Sequence, residues 1–151
     1  MNIRTATASD LSRIAEIYVF NNRINYLPIF KDVEYSFKKL QVISISNDYF
    51  GKEDVRKKIY VYDDGIIKGF VQVDKTEIIK LYVDTFFQKE GIGSMLIRYV
   101  IDKHHVDNLW VLEKNVKAIT FYNRHGFFFE GEMKFEESTS EKLLRFIRKH
   151  S

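Results

Sequence analysis

No cysteine occurs anywhere in the 151 residues. Disulfides, a thiol nucleophile and thiolate-held metals are therefore excluded. Proline is nearly absent too, with Pro28 alone, so no proline-rich linker divides the chain. Neither sign of charge dominates. There are 24 basic and 21 acidic residues, for a net charge of +3, too even a balance for a nucleic-acid surface. No uncharged apolar run approaches the roughly 20 residues of a membrane span, and MNIRTATASDL lacks the apolar stretch of a secretory leader. Repeats and low-complexity tracts are missing. A single domain over 1–151, cytoplasmic and away from membranes, is the expectation. The histidines, His104, His105, His125 and His150, have no metal-ligand spacing, and no metal is assigned.

What is present is concentrated between Ile78 and Val100, IIKLYVDTFFQKEGIGSMLIRYV. Residues 78 to 83 read as a buried strand. Gln88-Lys89-Glu90-Gly91-Ile92-Gly93 breaks the pattern. Ile92, Met95, Leu96, Tyr99 and Val100 then recur at the period of an amphipathic helix. Glycine permits a close backbone approach. The first N–H groups of a helix lack internal partners and carry the positive end of its dipole. Such a junction suits a phosphate or diphosphate. It lacks the Gly-Lys-Ser/Thr of a Walker loop and the Gly-x-Gly-x-x-Gly of a dinucleotide fold.

Around it the pattern predicts a strand at 3–6, then a helix capped by Ser9 or Asp10 and buried on Leu11, Ile14, Ala15, Tyr18 and Val19. Next come a proline-broken loop at 24–30, a second helix from Asp32 to the mid-forties and a polar loop at 46–54. Strands follow at 58–62, 66–73 and 77–83, the first two joined by an Asp63-Asp64-Gly65 turn. A helix at 91–104, a strand at 108–112, a short helix at 116–123 and strands at 127–129 and 142–148 complete the chain. Strand, crossover helix and strand imply one parallel pair.

The Gln-x-x-Gly-x-Gly loop after its strand resembles the pyrophosphate loop of the GNAT superfamily of N-acetyltransferases. Asn115-x-x-Ala118-x-x-x-Tyr122-x-x-x-Gly126-Phe127 resembles that family's second signature. The element order is similar over nearly the whole chain, and specific between about 77 and 131. The resemblance implies an α/β fold: a mixed, mostly antiparallel seven-stranded sheet, one splayed parallel pair, and helices on both faces. It implies an enzyme that moves an acetyl group from acetyl-CoA to a primary amine of a small molecule or peptide, by direct attack in a ternary complex. The alternative is an acyl-CoA sensor without turnover. A homodimer is a further expectation.

The resemblance also assigns residues. The main chain at Leu81, Tyr82 and Val83 would hold the pantetheine arm, with their side chains in the core and the Val83 N–H on the thioester carbonyl. Gln88, Lys89, Glu90, Gly91, Ile92, Gly93 and Ser94 would hold the diphosphate, and Asn115 would bond the cofactor. Tyr122, two helical turns after Asn115, would serve the leaving sulfur; read alone it is a core aromatic. Glu77 would be the base; read alone it is a solvated strand end. Lys89, Lys117 and Arg124 could face phosphates. The segment from Tyr26 to Phe30 is the expected acceptor wall, with Asn22, Arg23 and Asn25 as polar contacts and Ile29 as a core pin.

Overall fold

The computed structural model describes residues 2–149; His150, and the expectation made of it, lie outside them. The elements are β1 (Ile3–Thr5), α1 (Leu11–Asn25), α2 (Leu27–Phe30), α3 (Val42–Ile45), α4 (Glu53–Arg56), β2 (Ile59–Asp63), β3 (Ile67–Asp74), β4 (Glu77–Val83), α5 (Ile92–His104), β5 (Asn108–Leu112), α6 (Val116–Arg124), β6 (Phe127–Phe135) and β7 (Lys142–Arg148). The strands form one seven-stranded sheet in the order β1-β2-β3-β4-β5-β7-β6. Every neighbouring pair is antiparallel except β4 with β5.

Two apolar layers hold it. On one face α5 presses Ile92, Leu96, Ile97 and Val100 onto Val71, Ile78, Leu109 and Phe146. On the other, Ile14, Ala15 and Ile17 of α1 meet Phe50, Ile59, Val61 and Phe70. Alternation along half-buried strands puts each set on its own face. The face of α5 is Ile97-centred: Met95, expected inside, is 37 % exposed.

The region between α1 and β2 departs from expectation. Pro28 opens a helical turn, since its locked φ suits a first turn where no N–H is needed. The single helix expected from Asp32 is instead wide π-type turns at Tyr35–Lys39 and Ser46–Phe50 around the four-residue α3. The stretch expected as loop at 46–54 is therefore largely helical. Its Phe50 is fully buried against Tyr18, Tyr49 and Phe70, so burial of aromatics, rather than helical propensity, sets its course. Asp10 does not cap α1 through its side chain. Its carboxylate takes the Thr7 N–H at 2.7 Å and the Arg4 guanidinium at 2.7 Å, tying β1 to the start of α1.

Candidate active site

The parallel pair makes the site. β4 and β5 are in register only at Glu77 with Asn108 and Ile78 with Leu109; beyond these they part. Main-chain parity decides what the gap receives. The Asp84 N–H donates to the Lys68 carbonyl at 2.8 Å, and Val83 lies opposite Gly69, Leu81 opposite Val71. In an antiparallel pair alternate residues point their N–H and C=O groups away from the partner. Leu81 and Val83 therefore aim theirs into the gap, where no strand meets them.

Part of that edge is already occupied. The Val83 carbonyl accepts from Asn21 Nδ2 at 3.1 Å and from Gln88 Nε2 at 3.2 Å. Asn21, 2 % exposed, also donates to the Ile17 carbonyl at 2.9 Å. The Val83 N–H and both groups of Leu81 remain facing the opening. Gln88 is a strut rather than an open ligand, because its Oε1 takes the Lys117 ammonium at 2.8 Å.

At the head of the gap lies the start of α5. Gly91 sits at φ +81° with open space where a Cβ would be, so it is a glycine for its backbone angle. Gly93 is a glycine for another reason: a Cβ there would stand 3.3 Å from the Phe121 ring. The first bond inside the helix runs from the Met95 N–H to the Gly91 carbonyl at 3.0 Å. The N–H groups of Ile92, Gly93 and Ser94 precede it, and no side chain caps them.

A cleft of about 1530 Å³ joins these parts. Of the residues expected to touch the cofactor, Leu81, Tyr82, Val83, Gln88, Lys89, Gly91, Ile92, Gly93, Ser94, Asn115 and Tyr122 line it, and Glu90 does not. Lys117 and Arg124 line the same end. Tyr26 and Phe30 line the far side, whereas Ile29 does not. Glu77 stands apart. It opens β4 where the pair is still closed, beside Asn108, and is absent from the lining.

Asn115 caps α6, its Oδ1 accepting the Ala118 N–H at 3.2 Å. That leaves its amide NH₂ to meet other groups. Tyr122 packs by its ring on Phe121 and Phe127. Burial first, then the nearby Tyr26 phenol, raise its pKa well above the usual phenol value, so it stays protonated at neutral pH.

Two features escaped the sequence. Tyr82 brings a side chain to the site as well as a backbone: its hydroxyl lies 3.2 Å from that of Tyr26. Burial raises the Tyr82 phenol well above its usual range. Tyr26 is likewise raised by burial, opposed by hydrogen bonding to Tyr82, raised further by the Glu136 charge, and lowered by a hydrogen bond with Asn115. Tyr26 thus meets β4 through its hydroxyl. The second feature is His125, whose Nε2 lies 3.0 Å from Ser94 Oγ at the head of α5. Burial, with Arg98 and Arg124 adding to it, pushes the His125 pKa down. Neither pair has a local sequence signal, since each spans more than 30 residues.

Residues 56–127 match the family model of the acetyltransferase (GNAT) domain. The chain is 24% identical over 156 residues to a probable spermine N(1)-acetyltransferase of Bacillus subtilis subsp. natto (strain BEST195), covering 95% of this chain and 96% of that one. It is 35% identical over 66 residues to the peptidyl-lysine N-acetyltransferase YiaC of Escherichia coli (strain K12), covering 43% and 45%. Its fold is similar to that of the PaiA N-acetyltransferase of Thermoplasma acidophilum, solved in complex with coenzyme A, with a TM-score of 0.69, 19% identity and 98% of each chain covered.

Proposed function

This chain belongs to the GNAT superfamily of N-acetyltransferases, and from that premise we propose that it passes the acetyl group of acetyl-CoA directly to the primary amine of a small polycationic acceptor. One observation carries the reading: the open β4 edge at Leu81 and Val83 runs straight into the uncapped start of α5 within a single cleft. An unpaired strand edge fits the amides of a pantetheine arm, and an uncapped helix start fits its diphosphate. The relative solved with coenzyme A supports the same choice of carrier.

In this reading the N–H groups of Ile92, Gly93 and Ser94 hold the diphosphate, with Lys89, Lys117 and Arg124 adding charge. Val83 directs its N–H at the thioester carbonyl, where negative charge grows as the amine attacks. Tyr122 hydrogen-bonds the departing sulfur. A phenol raised above its ordinary value is a poor acid toward a thiolate of pKa about 8.5. Its part is therefore to stabilise the thiolate, and the proton that sulfur finally keeps comes from the attacking nitrogen.

The acceptor end carries carboxylates and aromatic rings: Asp32, Glu136, Glu137, Tyr26 and Tyr35 line it, while Tyr18 already carries the Lys80 ammonium at 5.1 Å. Carboxylates and ring faces both attract ammonium groups. This favours a linear polyamine over a neutral acceptor, as does the likeness to a probable spermine acetyltransferase. The test is release of CoA thiol from acetyl-CoA, with spermine, spermidine and a lysine peptide compared side by side. Turnover highest with the polyamines is expected. Turnover with the peptide alone would move the acceptor to proteins, and no acetyl-CoA binding by calorimetry would end the reading.

A further inference from the structure

The amine must lose a proton before it can attack. An alkylammonium of pKa about 10.4 is neutral about once in 2,500 molecules at pH 7. With Glu77 outside the cleft, the carboxylates that line it are Asp32, Glu136, Glu137 and Glu141. Asp32 and Glu137 are exposed to solvent. Glu141 is held by Lys114 at 3.0 Å. Glu136 alone of the four is both half-buried and free of an ion pair among the described residues. Its Oε1 accepts the Glu137 N–H at 3.1 Å, which orients the carboxylate and leaves Oε2 open.

Position adds to this elimination. The Glu136 main chain is clamped at the root of the β6–β7 turn, its N–H on the Glu141 carbonyl at 2.8 Å and its carbonyl under the Thr139 N–H at 3.0 Å. A base must be held still to be effective. Glu136 shares the cleft with Tyr26, which reaches Tyr82 on the splayed strand at 3.2 Å. A carboxylate and two phenols thus line the cleft that the splayed strand opens onto.

We propose that Glu136 is the general base of the transfer. This rests on the acetyl-transfer reading above. Glu136 takes one proton from the acceptor ammonium, directly or through water. The neutral nitrogen then adds to the thioester carbonyl. The C–S bond breaks, the nitrogen loses its second proton, the sulfur leaves as the CoA thiol, and Glu136 returns its proton to water.

The experiment compares wild type, Glu136→Gln, Glu136→Asp and Glu77→Gln with acetyl-CoA and spermidine across pH 6 to about 10. Calorimetric titration of each with CoA checks that the cofactor end is intact. Glu136→Gln should lose about 100-fold or more in kcat near neutrality, a usual size for a lost base, with CoA affinity unchanged. Its kcat should climb with pH as the free amine appears, closing on wild type at the alkaline end. Glu136→Asp should restore part of the rate and the wild-type profile. A Glu136→Gln enzyme with wild-type kcat overturns the proposal, as does a loss confined to the KM for spermidine, which would make Glu136 a docking charge. The same loss in Glu77→Gln alone also overturns it. A wild type inert toward every amine overturns the acetyl-transfer reading with it, whereas an active wild type matched by Glu136→Gln overturns only this assignment.

Discussion

The two lips of the cleft are built by opposite means. One, from β4 through α6, is regular: long elements, an uncapped helix start and main-chain groups left free by diverging strands. The other, from Tyr26 through the short helical turns and joined by the β6–β7 turn, is irregular and offers side chains. Main-chain groups are the same in every sequence, so the regular lip suits a ligand common to a whole family. Side chains vary freely, so the irregular lip suits an acceptor that differs between members. A substitution in the first should disturb CoA, and one in the second should disturb the amine.

The strongest attempt to break this contrast is Gly91→Glu. A side chain at φ +81° costs roughly 1–2 kcal/mol in the left-handed region, and a carboxylate there repels a diphosphate. Calorimetry should find CoA affinity lower by about 100-fold or more, which is about 2.7 kcal/mol. Preserved affinity would mean the helix start is not the anchor. Next in size is Tyr122→Phe, which removes one donor from the developing thiolate. A fall of about 100-fold in kcat is expected at unchanged CoA affinity; equal loss of both would make the residue packing only.

Gly93→Ala probes the regular lip through stability. Its Cβ would press the Phe121 ring at 3.3 Å, and overpacking of this kind costs about 1–3 kcal/mol, measurable by urea unfolding. Asp32→Asn tests the irregular lip. An exposed charge contributes up to about 1 kcal/mol, so the KM for spermidine should rise by no more than about fivefold while the KM for acetyl-CoA stays put. The smallest effect concerns His125. Its pKa is lowered in the folded protein, so between that value and the ordinary one near 6.5 the unfolded chain binds more protons. The associated stability is present above about pH 6.5 and is lost as pH falls through that window toward the folded value. His125→Gln should flatten the slope of melting temperature against pH there, and an unchanged slope would show that the ring does not titrate differently on folding.

The same division separates what could be read in advance from what could not. β4, β5 and β7 begin and end where alternation and turn residues put them. The Gly91 junction was readable because two glycines stand between a strand pattern and a helix pattern, where a backbone can approach a ligand closely. Asp10 as a helix cap, one helix after Asp32 and a loop at 46–54 followed equally reasonable local rules. They failed because the Asp10 carboxylate is taken by Arg4 and Thr7, and because Phe50 packs on Phe70, which is distant in sequence. Met95, expected inside, is exposed, and Ile97 is buried in its stead.

By itself, then, the order of residues determined the seven strands, the parallel pair and the helix start that faces an anionic carrier, because backbone angles and burial periods are local properties. Tertiary structure alone decided that Tyr26, Tyr82, Tyr122 and Glu136 share one cleft, that His125 meets Ser94, and that Glu77 lies outside the lining. Those meetings depend on how far β4 and β5 splay and on how the aromatic segment after α1 folds back, and no short window of sequence records either distance.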